Sequence, residues 1–164
     1  MSLVYIIEDD MTMAECIALS VRAASNSPAA QVFHNAIEAM QGISQQLPDV
    51  ILLDVLLDGP DGFTFLNELI SYQDTARIPV VLISSLDFSN RNLSHYGVVQ
   101  VLQKSTMTPE DIQLAVINAL ASDPQTPSAP SPVFDASPPS NIAALNQKLA
   151  AASETPTPDE PADA

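Results

Sequence analysis

Basic residues are scarce in this sequence. Its 164 residues include only five Lys and Arg against twenty Asp and Glu, which gives a formal net charge of −15 at pH 7. A chain with that charge repels phosphate backbones and anionic lipid surfaces. We therefore expect no direct contact with nucleic acid and none with a membrane surface.

Cysteine and long apolar runs are also scarce. The one cysteine, Cys16, excludes an internal disulfide and fits a reducing compartment. The amino terminus, MSLVYIIEDD, lacks the basic region and long apolar stretch that mark a signal peptide. No apolar run approaches the roughly 20 residues that a membrane-spanning helix needs. These absences predict a cytoplasmic protein.

Large hydrophobic residues are present but unevenly distributed. Hydrophobic residues make up 46% of the chain, and the large aliphatic and aromatic ones lie almost entirely within residues 1–122. Residues 123–139 are rich in Pro and predict an extended linker. Residues 154–164 predict an acidic disordered end. The sequence therefore predicts one folded domain, 1–122, followed by a largely disordered C-terminal tail.

One segment of that tail has helical spacing. Residues 140–153 place Ile142, Leu145 and Leu149 on one face of a short helix. A helix of about a dozen residues is marginal in water when it stands alone. Two interpretations stay open: a disordered segment with nascent helix, or an amphipathic helix that docks on a partner or on the domain.

Short apolar segments alternate with amphipathic ones along the domain. The apolar segments predict five strands, at 3–7, 30–34, 49–55, 78–84 and 98–104. The amphipathic segments predict helices at 13–24, 35–46, 61–70 and 108–121. This alternation predicts a doubly wound α/β fold with a parallel sheet, in the flavodoxin-like strand order 2-1-3-4-5.

Polar residues mark two of the helix starts. Asp61 is a predicted N-cap, and the helix that follows it carries Phe63, Leu66 and Ile70 as its predicted apolar face. Thr108 is the predicted N-cap of the last helix. By contrast, residues 85–97 are polar and poorly periodic, so any helix there is expected to be short or irregular.

The third predicted strand contains a carboxylate. Six of the seven residues from Val50 to Leu56 are large aliphatics, and the seventh is Asp54. A buried carboxylate without a partner loses its hydration, so this position needs a reason. Strands 1 and 3 are neighbours at the switch point of the predicted sheet, where ligands bind at the carboxyl ends. Glu8 and Asp9 follow strand 1, and we expect them to lie beside Asp54.

These residues predict a metal site and a reaction. Three carboxylates in one crevice repel one another unless a cation is bound, and hard oxygen ligands suit Mg²⁺. Asp10 is expected to point away or to cap the next helix. Lys104 ends strand 5 and could reach Asp54, while Ser84 ends strand 4 and offers a hydroxyl donor. A carboxylate nucleophile, a divalent metal, a Lys and a hydroxyl together indicate phosphoryl transfer onto Asp54.

At this point the sequence resembles the receiver domains of bacterial two-component response regulators. The residues that carry the resemblance are IIEDD after strand 1, ILLDVLLDGPDG around strand 3, PVVLISS at strand 4, and Lys104. The resemblance covers roughly residues 1–122. It implies that Asp54 is the phosphoacceptor, that Glu8, Asp9 and Asp54 hold Mg²⁺, and that the backbone carbonyl of Leu56 is a further metal ligand.

The resemblance also implies other roles and partners. Ser84 resembles the switch hydroxyl of the family, Lys104 the phosphoryl-contacting Lys, and Asp61–Gly62 the turn that opens helix 3. A sensor histidine kinase or a histidine phosphotransfer protein is the implied phosphodonor, and a downstream protein is the implied recipient of the signal. In this sequence we recognise no DNA-binding or catalytic output domain after the region of resemblance.

Three departures from the family pattern keep an alternative open. Val101 stands where a switching Tyr or Phe is usual, Ser105 stands where Pro is usual, and residues 85–97 are slightly short. The alternative is an adaptor that keeps the fold but signals without phosphorylation. A hydrolase with an aspartyl-phosphate intermediate is a further alternative. Asp58 supports it as a candidate acid/base residue, and the lack of a visible cap domain argues against it. The acidic loops argue against a flavin site, and His34 and His95 are expected to be structural.

Overall fold

The computed structural model describes residues 1–59, 61–88 and 90–122. The predicted linker 123–139, the segment 140–153 and the acidic end 154–164 lie outside the described residues. All structural statements below concern the described part of the chain.

Five strands form one parallel sheet. They are β1 (Leu3–Ile7), β2 (Ala29–Phe33), β3 (Val50–Asp54), β4 (Val80–Ser84) and β5 (Val98–Gln103). The helices are α1 (Met11–Arg22), α2 (Ala36–Gln45), α3 (Gly62–Ile70) and α4 (Pro109–Ala121). The strand order is β2-β1-β3-β4-β5, which confirms the predicted flavodoxin-like topology. The ends of these elements lie within two residues of the predicted ends.

The sheet separates two hydrophobic layers. Helices α2 and α3 pack on one face, and helices α1 and α4 pack on the other. Side chains alternate between the layers, so Tyr5 and Ile7 of β1 enter the first and Val4 and Ile6 enter the second. The central strand β3 is buried along its whole length, as its continuous apolar run predicts.

Side-chain caps fix the starts of α3 and α4. Asp61 Oδ1 accepts a hydrogen bond from the N–H of Thr64 at 2.8 Å. Thr108 and Asp111 form a reciprocal capping box at the start of α4. Both predicted N-caps are therefore confirmed.

The predicted apolar face of α3 is wrong in part. Leu66 is buried and Phe63 is partly buried, but Ile70 is 36% exposed. The buried stripe consists of Phe65, Leu66 and Leu69, which lies to one side of the predicted stripe. Ile70 is the last residue of the helix and lies outside this buried stripe.

The connection from β4 to β5 has no α-helix among its described residues. Its regular structure is a 3₁₀ turn, Ser94–Tyr96, which Gly97 ends with a left-handed φ of 75°. Aromatic residues cover the sheet here: the ring centroids of Phe63 and Phe88 lie 6.0 Å apart, and those of Phe63 and Tyr96 6.1 Å apart. The prediction of a short or irregular segment is confirmed.

Candidate functional site

Three acidic side chains meet at the carboxyl edge of the sheet. Strands β1 and β3 run parallel, with Ile7 opposite Leu53. Asp54 is the last residue of β3, and Glu8 and Asp9 directly follow β1. One carboxylate oxygen from each of Glu8, Asp9 and Asp54 lies within 4.8 Å of the other two. The structure thus brings together the three carboxylates that the sequence placed at this edge.

Two of the three acids are almost completely buried. Glu8 is 1% exposed and Asp54 is 3% exposed, while Asp9 is intermediate. The next acid, Asp10, points away from the cluster, because its Oδ1 accepts a hydrogen bond from the N–H of Met13 at 2.9 Å and caps α1. The expectation for Asp10 is confirmed.

Lys104 bridges the two buried carboxylates. Its Nζ lies 2.7 Å from Asp54 Oδ2 and 2.8 Å from Glu8 Oε2. The contact with Asp54 is a hydrogen bond. The contact with Glu8 is close enough for an ion pair, yet its geometry is not that of a hydrogen bond, so Glu8 Oε2 is buried with no hydrogen-bond donor. The predicted reach of Lys104 to Asp54 is present, and its contact with Glu8 is an addition.

The cluster shifts the proton affinities of its members. Burial raises the pKa of Glu8 to about 7; the charge of Asp54 adds to this rise, and contact with Lys104 opposes it. Burial lowers the pKa of Lys104, but its contacts with Asp54 and Glu8 outweigh burial and raise the pKa above its ordinary value. The Lys is therefore fully charged, and Glu8 can exchange a proton near neutral pH.

The loop after β3 is held close to the site. Asp54 Oδ1 accepts a hydrogen bond from the N–H of Leu56 at 3.0 Å. The N–H of Gly62 donates to the carbonyl of Val55 at 3.0 Å. A Cβ on Gly62 would lie 2.8 Å from Val55 Cα and 2.9 Å from the Asp54 carbonyl oxygen, so only glycine allows this close approach.

Ser84 lies at the site but has a different partner. The residue is fully buried at the end of β4, and its carbonyl accepts the N–H of Lys104 at 2.9 Å. Its Oγ accepts the N–H of Leu86 at 2.9 Å, and the structure shows no hydrogen bond from it to the described carboxylates. The adjacent Ser85 is exposed.

Some contacts were missed by the sequence analysis. His34 Nδ1 lies 3.2 Å from the carbonyl oxygen of Glu8. The parallel pairing of β1 with β2 explains this contact: Ile7 lies opposite Phe33, so the next residues, Glu8 and His34, are also neighbours. His95 packs against Tyr96, with ring centroids 3.9 Å apart.

The donor set fits a hard divalent cation. Carboxylate oxygens are the ligands that Mg²⁺ prefers, and it usually takes only one or two of them directly. Glu8 Oε2 faces the ammonium of Lys104 at 2.8 Å and receives no hydrogen bond from the described residues, so its negative charge is only partly compensated. Three acids against one Lys leave the cluster short of positive charge, which a divalent cation would supply.

Comparison of the sequence with protein-family models identifies the family to which this chain belongs. The family model of the response regulator receiver domain matches residues 4–117. The chain belongs to this family. A receiver domain by itself has no enzymatic output, and in this family Mg²⁺ binds in the acidic pocket. The resemblance inferred from the motifs is therefore confirmed.

Curated relatives and solved structures agree. The chain is 36% identical over 97 residues to a protein-glutamate methylesterase/protein-glutamine glutaminase 3 of Geobacter metallireducens, a match that covers 57% of this chain and 25% of that protein. It is 49% identical over 49 residues to the response regulator PleD of Caulobacter vibrioides, a match that covers 30% of this chain and 11% of that protein. The chain thus spans a quarter or less of the length of either relative.

Among solved structures, a protein described as a response regulator from Chloroflexus aurantiacus is 28% identical, with a TM-score of 0.65 and coverage of 74% of this chain and 98% of that chain. The response regulator TrrA of Thermotoga maritima, solved in complex with Mg(2+)-BeF, is 15% identical, with a TM-score of 0.63 and coverage of 73% and 100%. The latter likeness shows the fold alone. In the described part of the receiver, no helix is long and apolar enough to cross a membrane.

Proposed function

We propose that this protein is a phosphorylation-dependent signalling receiver and that Asp54 is its phosphoacceptor. Glu8, Asp9 and Asp54, with the backbone carbonyl of Leu56, hold Mg²⁺. The observation that carries the proposal is the contact of Lys104 Nζ with Asp54 Oδ2 at 2.7 Å inside a cluster of three carboxylates. A buried nucleophile, a fixed cation and a metal-ligand set thus share one crevice.

The proposed reaction is a phosphoryl transfer. A carboxylate oxygen of Asp54 attacks the phosphorus of a phosphohistidine, the P–N bond breaks, and its electron pair leaves with the imidazole of the donor. Lys104 donates a hydrogen bond to a phosphoryl oxygen, and the hydroxyl of Ser84 donates to another. Mg²⁺ held by the three carboxylates would supply further positive charge to the site. Positioning and charge therefore provide most of the catalysis.

Lys104 has a second part in this proposal. Without the metal it neutralises both Glu8 and Asp54, which are otherwise buried negative charges. A divalent cation held by Glu8 would supply that positive charge instead. Lys104 could then contact Asp54 and the incoming phosphoryl group alone.

The proposed partners follow from this chemistry. A sensor histidine kinase or a histidine phosphotransfer protein donates the phosphoryl group, and a downstream protein reads the phosphorylated state by direct contact. The proposed organisation is a receiver, 1–122, a Pro-rich linker, 123–139, a short amphipathic segment, 140–153, and an acidic end, 154–164. With a net charge of −15, the protein is proposed to act in the cytoplasm and not on nucleic acid.

A second candidate is an adaptor that signals without phosphorylation. The observation that favours it is the β4–β5 connection, where a 3₁₀ turn stands among the described residues in place of an α-helix. Val101 is partly buried against the aromatic side of the sheet, where the family often has a switching aromatic residue. Ser105 stands where Pro is usual in the family.

Intact mass after incubation with acetyl phosphate separates the two candidates. We expect one phosphoryl adduct on the wild type with Mg²⁺, none in EDTA, and none on Asp54→Ala. Asp58→Ala is the matched control, because it removes an exposed carboxylate four residues away and should label like the wild type. No adduct on folded wild type would contradict the proposal and favour the adaptor. An adduct that persists on Asp54→Ala would show that another residue accepts the phosphoryl group.

A further inference from the structure

The peptide groups of Leu86 are held from both sides. Its N–H donates to Ser84 Oγ at 2.9 Å. Its carbonyl accepts a hydrogen bond from Gln103 Nε2 at 3.2 Å. Leu86 is therefore the link between the end of β4, which carries Ser84, and the end of β5, which carries Gln103.

This link determines how the hydroxyl of Ser84 is used. A hydroxyl has one proton to donate and lone pairs that accept. The N–H of Leu86 already occupies one acceptor position of Ser84 Oγ, and the described residues offer no acceptor for its proton. Ser84 is fully buried, so solvent does not provide one either. The hydroxyl proton is left for a group that enters the crevice.

Gln103 is well placed to hold the Leu86 peptide. It is the last residue of β5 and directly precedes Lys104. Its backbone carbonyl accepts the N–H groups of Thr106 and Met107 at 3.1 Å and 2.8 Å, which fixes the turn after the strand. Its side chain is thus anchored on the same backbone that positions Lys104.

We infer that Gln103 is a positioning residue for phosphoryl transfer: by holding the carbonyl of Leu86, it keeps the N–H of Leu86 on Ser84 Oγ and directs the hydroxyl proton into the crevice. The inference rests on the proposed function. It assigns to Gln103 a role that acts through Ser84 and not through the metal. Loss of its amide should slow phosphoryl transfer and leave Mg²⁺ affinity unchanged.

The test compares Gln103→Met with Gln100→Met. Methionine keeps the length of glutamine and removes the donor, and Gln100 lies on the opposite face of β5 with no side-chain hydrogen bond among the described residues. We expect Gln103→Met to lower the acetyl phosphate labelling rate by about three- to tenfold, the range for loss of one hydrogen bond. The Mg²⁺ dissociation constant should stay within about twofold of the wild type. Gln100→Met should match the wild type in both.

A double-mutant cycle with Ser84→Ala identifies the route of the effect. If Gln103 acts through Ser84, then Gln103→Met should cause no further loss in the Ser84→Ala background. Rate losses that multiply would overturn the inference. So would a labelling rate for Gln103→Met equal to that of Gln100→Met.

Amide hydrogen exchange in metal-free protein provides a readout that needs no phosphorylation. We expect the N–H of Leu86 to exchange several-fold faster in Gln103→Met than in the wild type, and equally in Gln100→Met. Unchanged exchange would overturn the inference. Wild type that forms no adduct would overturn the proposed function and this inference together, whereas normal wild-type labelling with no effect of Gln103→Met would overturn the inference alone.

Discussion

Within β3, the four residues Val50–Leu53 and the residue that follows them, Asp54, are buried to a similar extent but affect stability in opposite directions. The aliphatic side chains leave water for a packed layer on each face and stabilise the fold. Asp54 leaves water for a cluster with two other carboxylates and one Lys. Burial in the interior of the sheet therefore stabilises the folded state, whereas burial of charged groups at its carboxyl edge costs stability that the rest of the fold offsets.

Truncation in the interior should give the largest effect. Leu52 is fully buried, so Leu52→Ala should lower the free energy of unfolding by about 3 to 4 kcal/mol, measured by urea denaturation. Leu114→Ala is the control, because Leu114 is 57% exposed and its truncation should change little. Equal effects from the two variants would contradict the assignment of the core.

Removal of Lys104 should have the next largest effect. Lys104→Met leaves Glu8 and Asp54 buried without their cation and should lower the free energy of unfolding in EDTA by about 2 to 3 kcal/mol. Mg²⁺ should restore part of this loss, so it should stabilise the variant more than the wild type. Arg77→Met, which removes a cation with no ion pair to a described acid, is the control. If Mg²⁺ stabilised neither protein, the edge would not be a metal site.

Glu8 should make stability depend on pH. Its pKa is about 7 in the folded protein and close to its ordinary value in the unfolded chain, so the folded state holds the proton more tightly. Its contribution is therefore complete below pH ~4.5 and is lost as pH rises through about 7. In EDTA, the difference between wild type and Glu8→Gln across this window should be on the order of 2 kcal/mol. A difference that stays constant with pH would show that Glu8 titrates normally.

Neutralising Asp54 should have the smallest effect and the opposite sign. Asn has a single acceptor oxygen, so it keeps the hydrogen bond from the N–H of Leu56 and loses the one from Lys104; it also removes one of three neighbouring negative charges, and we expect that relief to exceed the loss. Asp54→Asn should therefore raise the free energy of unfolding in EDTA by about 1 kcal/mol. Asp58→Asn makes the same charge change at an exposed position and should be neutral. A clearly destabilised Asp54→Asn would break the contrast between interior and edge.

The features of the fold and site that can be predicted from the sequence depend on local patterns of apolar and polar residues. Strand order and helix placement follow from alternating apolar and amphipathic segments, since a right-handed crossover leaves few topologies. Glu8, Asp9 and Asp54 were predicted to be neighbours because adjacent parallel strands end at the same edge of the sheet. Strand order alone is enough for that prediction, without any interatomic distance.

The remaining parts depend on side-chain contacts between distant residues. The contact of Lys104 with Glu8 and the link from Gln103 to Leu86 join strands through particular rotamers, which no periodicity encodes. Ile70 was placed in the core because helical spacing alone does not show where the sheet stops covering a helix. The absence of helical periodicity in residues 85–97 predicts an irregular β4–β5 connection, but it does not predict the aromatic contact of Phe88 with Phe63.

The most direct test of the central claim is an amide NMR titration with Mg²⁺ and beryllium fluoride, a phosphoryl mimic. We expect saturable shifts at residues 8–10, 54–56 and 84–86 and at Lys104, with Ser2 and Asp49 at the opposite edge unchanged. Asp54→Asn should abolish the response to beryllium fluoride. Absence of shifts at these residues in folded wild type, or shifts confined to the opposite edge, would contradict the claim that this carboxyl edge accepts a phosphoryl group.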